Sequence, residues 1–175
     1  MKPLDKYPMA MRLTHWLSTL IIFGMLPLGW YMTSLDDSSP SQFTLFNFHQ
    51  SVGVCLLILA LARIFIKLRS RHPGISSDLP AWEKTLAKSV HTLLYAILVI
   101  MPLTGIFMTL FSGYKVPFFF FEFPNGLTEN KPLGKTFESI HSYLAYGLAG
   151  LIVLHVGGIL KELVISKKNL LKKMI

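Results

Sequence analysis

Four apolar stretches, at about 13–33, 47–68, 88–111 and 139–165, constrain this chain more than any other feature. Each is close to the ~20 residues that carry a helix across a bilayer. Lipid offers no water to pair with exposed N–H and C=O groups, so at this length only helices satisfy their own backbone. The expected fold is all-α: an integral membrane four-helix bundle spanning residues 1–175 as a single domain. Pro27 and Pro102 fall inside the first and third stretches and are expected to kink them. A hydrophobic content of 52%, with only 15% charged residues, excludes an ordinary soluble domain. The first stretch has no small-residue cleavage site and opens on His15–Trp16, so it reads as a retained helix rather than a signal peptide.

The net charge is +8, which in a soluble protein would point to nucleic acid. Here the basic residues sit at the ends of the apolar stretches, so they report topology instead and no nucleic-acid partner is expected. One side gathers Lys2, Lys6 and Arg12, the Arg63–Lys88 region, and Lys161, Lys167, Lys168, Lys172 and Lys173. Of the 17 basic residues only Lys115, Lys131 and Lys135 fall on the other side, and the loop between helices 1 and 2 carries Asp36 and Asp37. The positive-inside rule therefore puts both termini in the cytoplasm, with the four spans in contact with lipid. The long 112–138 loop carries an aromatic run from Pro117 to Pro124. It reads first as an interfacial anchor and second as a cover over a bound group.

Topology gives each histidine a level. His15 opens helix 1 on the cytoplasmic side, and His49 opens helix 2 on the periplasmic side. His141 and His155 share helix 4, fourteen residues apart. That is close to four turns, so both project from one face, about 21 Å apart along the axis. His15 meets His155 at one level, and His49 meets His141 at the other. Each pair joins two helices, as needed to clamp a flat macrocycle from both faces. Imidazole pairs are common haem ligands, and polar groups at membrane depth are costly unless used. Zinc prefers three or four ligands in one place, and no such cluster is evident. Cys55 is the only cysteine, and without a CxxCH motif no covalent c-type haem is expected.

The fourteen-residue register recurs: His15 leads to Gly29, His49 to Arg63, and His91 to Gly105. A glycine leaves room for a porphyrin edge, and Gly53, one turn after His49, is read likewise. Arg63 has two readings, a partner for a haem propionate or a side chain snorkelling to the headgroups. His91 lies on the His15–His155 level and stays open between ligand, propionate or quinone partner, and packing residue. His72, in a basic loop, reads as solvated. Trp16, Trp30 and Tyr31 read as aromatic-belt residues.

Taken together, Tyr7 to Trp16 (YPMAMRLTHW), His49-x-x-x-Gly53, Arg63, His91-x-x-x-Tyr95, Pro102-Leu103-Thr104-Gly105 and the His141…His155 helix resemble the bacterial cytochrome b-561 family of small dihaem membrane cytochromes. The resemblance covers nearly the whole chain. It implies two haem b groups with iron ligands His15, His49, His141 and His155. It also implies ubiquinone as electron acceptor, and includes members that oxidise periplasmic superoxide. Neither substrate needs a bond-making residue, so no catalytic side chain is expected. Lys115, Lys131 and Lys135 are the candidates to attract an anionic donor, with Glu122, Glu129 and Glu138 close enough to offset them. The family is also similar to the cytochrome b subunits of membrane hydrogenases and formate dehydrogenases. The alternative function is therefore an electron-transfer anchor passing electrons between a peripheral dehydrogenase and quinone.

Overall fold

The computed structural model describes residues 6–36, 39–71, 73 and 79–175; Lys2, Asp37 and His72 lie outside them. Four long helices, α1 (Met9–Ser34), α2 (Pro40–Arg69), α3 (Ala81–Phe111) and α4 (Lys131–Val164), make up most of the structure. All four are long and apolar enough to cross a membrane, so the chain is a multi-pass membrane protein. They begin several residues before the apolar stretches do, and each start carries a proline. Pro8 and Pro80 precede α1 and α3, and prolines occupy the first turns of α2 and α4. Proline's fixed φ suits a first turn, and its missing N–H costs nothing there. Asn130 also caps α4, accepting a 3.1 Å hydrogen bond from the Leu133 amide. Along the spans, Thr14, Ser18, Thr19 and Ser51 donate to the carbonyl four residues back, which hides their hydroxyls from lipid.

The chain ends are tied together. The Trp16 indole donates to the Met174 carbonyl at 2.8 Å, and the Tyr7 amide donates to Lys173 at 2.9 Å. A short 3-10 turn, Leu170–Lys173, lies between α4 and this contact. At the same end Lys161 bridges Glu83 (2.7 Å) and Glu162 (2.8 Å), joining the start of α3 to the end of α4.

The opposite end departs from the all-helical expectation. The aromatic run is a hairpin, with β1 (Val116–Phe118) antiparallel to β2 (Phe121–Phe123) and Val116 opposite Phe123. The connecting loop is also shorter than expected, because α4 begins at Lys131. Phe119 opens the hairpin turn at φ +51°, a left-handed conformation that bulky residues rarely adopt. Ser51 of α2, only 1% exposed, holds it by accepting the Phe119 N–H at 2.8 Å. Phe120 at the tip is fully exposed, while Phe118, Phe121 and Phe123 pack together at 5.2–5.9 Å between ring centroids.

Direct packing runs α1 on α2, α2 on α3 and α3 on α4; α4 has no comparable packing on α1 or α2. Among the described residues the buried apolar core is thin, with Met25, Met32, Leu56, Ala60, Leu98 and Leu148 among its members. Among the contacts that cross from α1 to α4, Trp30 stacks on Tyr146 at 5.8 Å. Trp30 thus packs between helices instead of serving only as a belt residue.

Candidate functional site

The side chains that reach across to α4 from α1 and α2 are chiefly histidines. At the end carrying the termini, the rings of His15 (α1) and His155 (α4) have centroids 6.3 Å apart and planes at 76°. At the hairpin end, His49 (α2) and His141 (α4) are also 6.3 Å apart, at 73°. A metal ion held linearly by two imidazole nitrogens at about 2.0–2.1 Å, each about 1.1 Å from its ring centre, separates the centroids by about 6.2–6.4 Å. Both pairs match that spacing. His91 (α3) differs: it lies 5.0 Å from His155, edge to face, too close for a metal held linearly between them. Among the described residues no group of three or more His, Cys, Asp or Glu forms a metal-binding cluster, so a tetrahedral zinc site has no support.

The ring nitrogens show which lone pairs are free. His141 Nδ1 is 3.0 Å from the Met101 carbonyl, which only accepts. Nδ1 therefore carries the proton and Nε2 keeps its lone pair. His91 Nδ1 likewise donates to the Ala87 carbonyl at 2.6 Å. His49 Nδ1 is buried without a hydrogen-bond partner among the described residues. His15 is the exception. Arg63 Nη2 lies 2.8 Å from His15 Nδ1, and a guanidinium only donates, so here Nδ1 is the acceptor. Ligation through His15 Nε2 requires the proton on Nδ1, and Arg63 must then turn away.

Arg63 has a reason to turn. Its Nε is buried and unpartnered, and no carboxylate pairs with it among the described residues. Its guanidinium sits 5.1 Å from the centre of the Tyr95 ring, which Lys67 also approaches at 4.1 Å. Tyr95 in turn donates to the Met11 sulfur at 3.9 Å. Burial pushes the Tyr7 hydroxyl, just before α1, above its ordinary pKa. A half-buried cation with no paired carboxylate among the described residues is costly, so the site favours a negatively charged group. Haem propionates would supply that charge, and the two imidazole pairs, at metal-spanning distance, would supply ligands; the residues fit haem on both counts.

Two of the register glycines, Gly29 and Gly105, lie against imidazole rings. A Cβ on Gly29 would stand 3.4 Å from His49 Cε1, and one on Gly105 would stand 3.3 Å from His141 Cε1. Their space is taken by the imidazole rings themselves, because a helix packed beside a ring needs a bare backbone there. A Cβ on Gly53 would meet nothing within 4 Å. Lys115, Lys131 and Lys135 each pair with a neighbouring glutamate, Glu122, Glu129 and Glu138, at 3.3, 3.4 and 2.9 Å. Sequence reasoning missed Ser51, Thr104 and Met101. Thr104 stood in a quoted motif, but nothing marked its hydroxyl as a neighbour of His141 Nδ1 at 3.1 Å.

A family model described as prokaryotic cytochrome b561 matches residues 6–175. The chain is 26% identical over 172 residues to cytochrome b561 homolog 2 of Escherichia coli (strain K12), covering 98% of this chain and 92% of that protein. It is 28% identical over 165 residues to cytochrome b561 homolog 1 of the same strain, covering 92% of each. A protein of Yersinia pestis named probable superoxide oxidase CybB is 26% identical over 163 residues, covering 92% of this chain and 90% of that protein. With transmembrane helices, interhelical histidine pairs and a match along nearly its whole length, the chain belongs to the prokaryotic cytochrome b561 family of membrane electron-transfer proteins that bind haem b.

Proposed function

We propose that this protein is a single-domain dihaem cytochrome of the bacterial inner membrane, with both termini cytoplasmic, that oxidises periplasmic superoxide and reduces ubiquinone. The observation that carries this reading is the equal 6.3 Å spacing of two imidazole pairs at opposite ends of α4. His49 and His141 would hold the outer haem, and His15 and His155 the inner one. Bound haem supplies one-electron redox chemistry, which the side chains alone lack. Arg63 would leave His15 Nδ1 and pair with a carboxylate of the inner group. His91, at 5.0 Å from His155, packs against a ligand and keeps Nε2 free to hydrogen-bond a quinone or a propionate. Gly29 and Gly105 seat the outer imidazoles, and Gly53 leaves its face of α2 clear.

The balance is two superoxide anions giving one electron each. Ubiquinone takes both electrons and two protons to become the quinol, and two molecules of dioxygen leave. The name of the Yersinia pestis relative supports superoxide as donor.

One observation favours a second reading, an electron-transfer anchor for a peripheral dehydrogenase. The outer lysines are spent on glutamates, so they attract an anion weakly. The purified chain decides between them. Two b-type haems per chain, superoxide consumed faster than spontaneous dismutation, and stoichiometric quinol are the expected results. Two haems with neither activity give the anchor reading, and a haem-free protein overturns both.

A further inference from the structure

We infer that Thr104 is a positioning residue that makes His141 a stronger ligand than His49 and thereby holds down the reduction potential of the outer haem. This rests on the proposed ligation of that haem by the two histidines.

Thr104 is 5% exposed and sits on α3, two residues beyond Pro102. Its hydroxyl donates to the Met101 carbonyl at 2.7 Å. Having spent its only proton there, the oxygen presents lone pairs to His141 Nδ1, 3.1 Å away. Met101 O is itself 3.0 Å from the same nitrogen. The Nδ1–H of His141 is therefore shared between two acceptors, one of them polarised by its own hydrogen bond. Such a bond fixes the tautomer, sets the ring orientation and raises the basicity of the opposite nitrogen. His49 has no counterpart among the described residues, where its Nδ1 is buried without a hydrogen-bond partner. The outer pair is thus matched in spacing but unequal in donor strength.

A more basic imidazole stabilises the oxidised iron, which carries the higher charge, and so lowers the potential. Loss of the hydroxyl reverses this. The test is a spectroelectrochemical titration of the purified, haem-loaded protein and its Thr104→Val and Thr104→Ser variants. Thr104→Val is expected to raise the outer midpoint, favouring reduction at least threefold. At 59 mV per tenfold change for one electron, that is about 28 mV. The inner midpoint stays in place, and Thr104→Ser retains the wild-type outer value. A full haem complement with an unchanged or lowered outer midpoint in Thr104→Val overturns the inference, as does a serine variant that behaves like valine. If the valine variant does not fold, Thr104→Ala is read by the same criteria. A wild-type protein without haem is a different failure, because it removes the ligation reading itself.

Discussion

Adding one methyl group at Gly105 tests whether the outer imidazole is held as tightly as its surroundings indicate. An alanine Cβ there would lie 3.3 Å from His141 Cε1. Carbon atoms rest at about 3.5–4.0 Å, so the ring must retreat by roughly 0.2–0.7 Å or α3 must move. The ring is not free to slide, because Nδ1 is pinned by Met101 O and Thr104 Oγ1. Metal–ligand distances tolerate only about ±0.2 Å. Overpacking of this kind costs about 1–3 kcal/mol, which at 1.4 kcal/mol per tenfold is roughly a 5- to 140-fold loss of outer haem affinity. Gly24→Ala on α1 is the control, since Gly24 is exposed and its Cβ meets nothing within 4 Å. Both substitutions replace a helical glycine with a better helix former, so propensity cancels between them. The assay is haem stoichiometry with a redox titration that resolves the two centres. Gly105→Ala is expected to lose outer haem selectively on dilution, while Gly24→Ala keeps both. Equal occupancy in the two variants refutes the close fit at His141.

Three further outcomes follow from the same geometry. Replacing His141 or His155 singly with alanine should empty different sites, and loss of the same haem from both would break the level assignment. His91→Ala should retain both haems by pyridine haemochrome assay, because at 5.0 Å from His155 it is too close to hold a metal linearly opposite that ring; loss of the inner haem would make His91 a ligand. Ser51→Ala removes the acceptor for the Phe119 N–H, at a cost of about 1–3 kcal/mol for a buried group left unpaired, and faster hydrogen exchange of that amide should report it; unaltered exchange would mean that the hairpin holds its turn without Ser51.

The four helices were legible in the sequence because lipid forces every spanning backbone to pair within itself, and apolar length records that demand. The helix starts were less legible. Apolar content marks only the part inside lipid, while the prolines in the flanking polar turns set where winding begins. The hairpin was hidden because a run of phenylalanines reads equally as anchor and as strand. A buried serine on another helix is what holds its strained turn.

For the site, periodicity alone put His141 and His155 on one face of α4, and the alternation of basic loops gave every histidine an end. The sequence by itself thus determined which residues share a level. Only the tertiary structure decided the distances, separating the 6.3 Å pairs from the 5.0 Å contact of His91. It also decided hydrogen-bond direction: Arg63 against His15, Met101 and Thr104 against His141, nothing against His49. The physical reason is range. Helical register and membrane thickness act along one chain segment and are written in spacing. The distance and protonation of two rings on different helices depend on how far packing lets α4 stand from α1 and α2, which no single segment encodes.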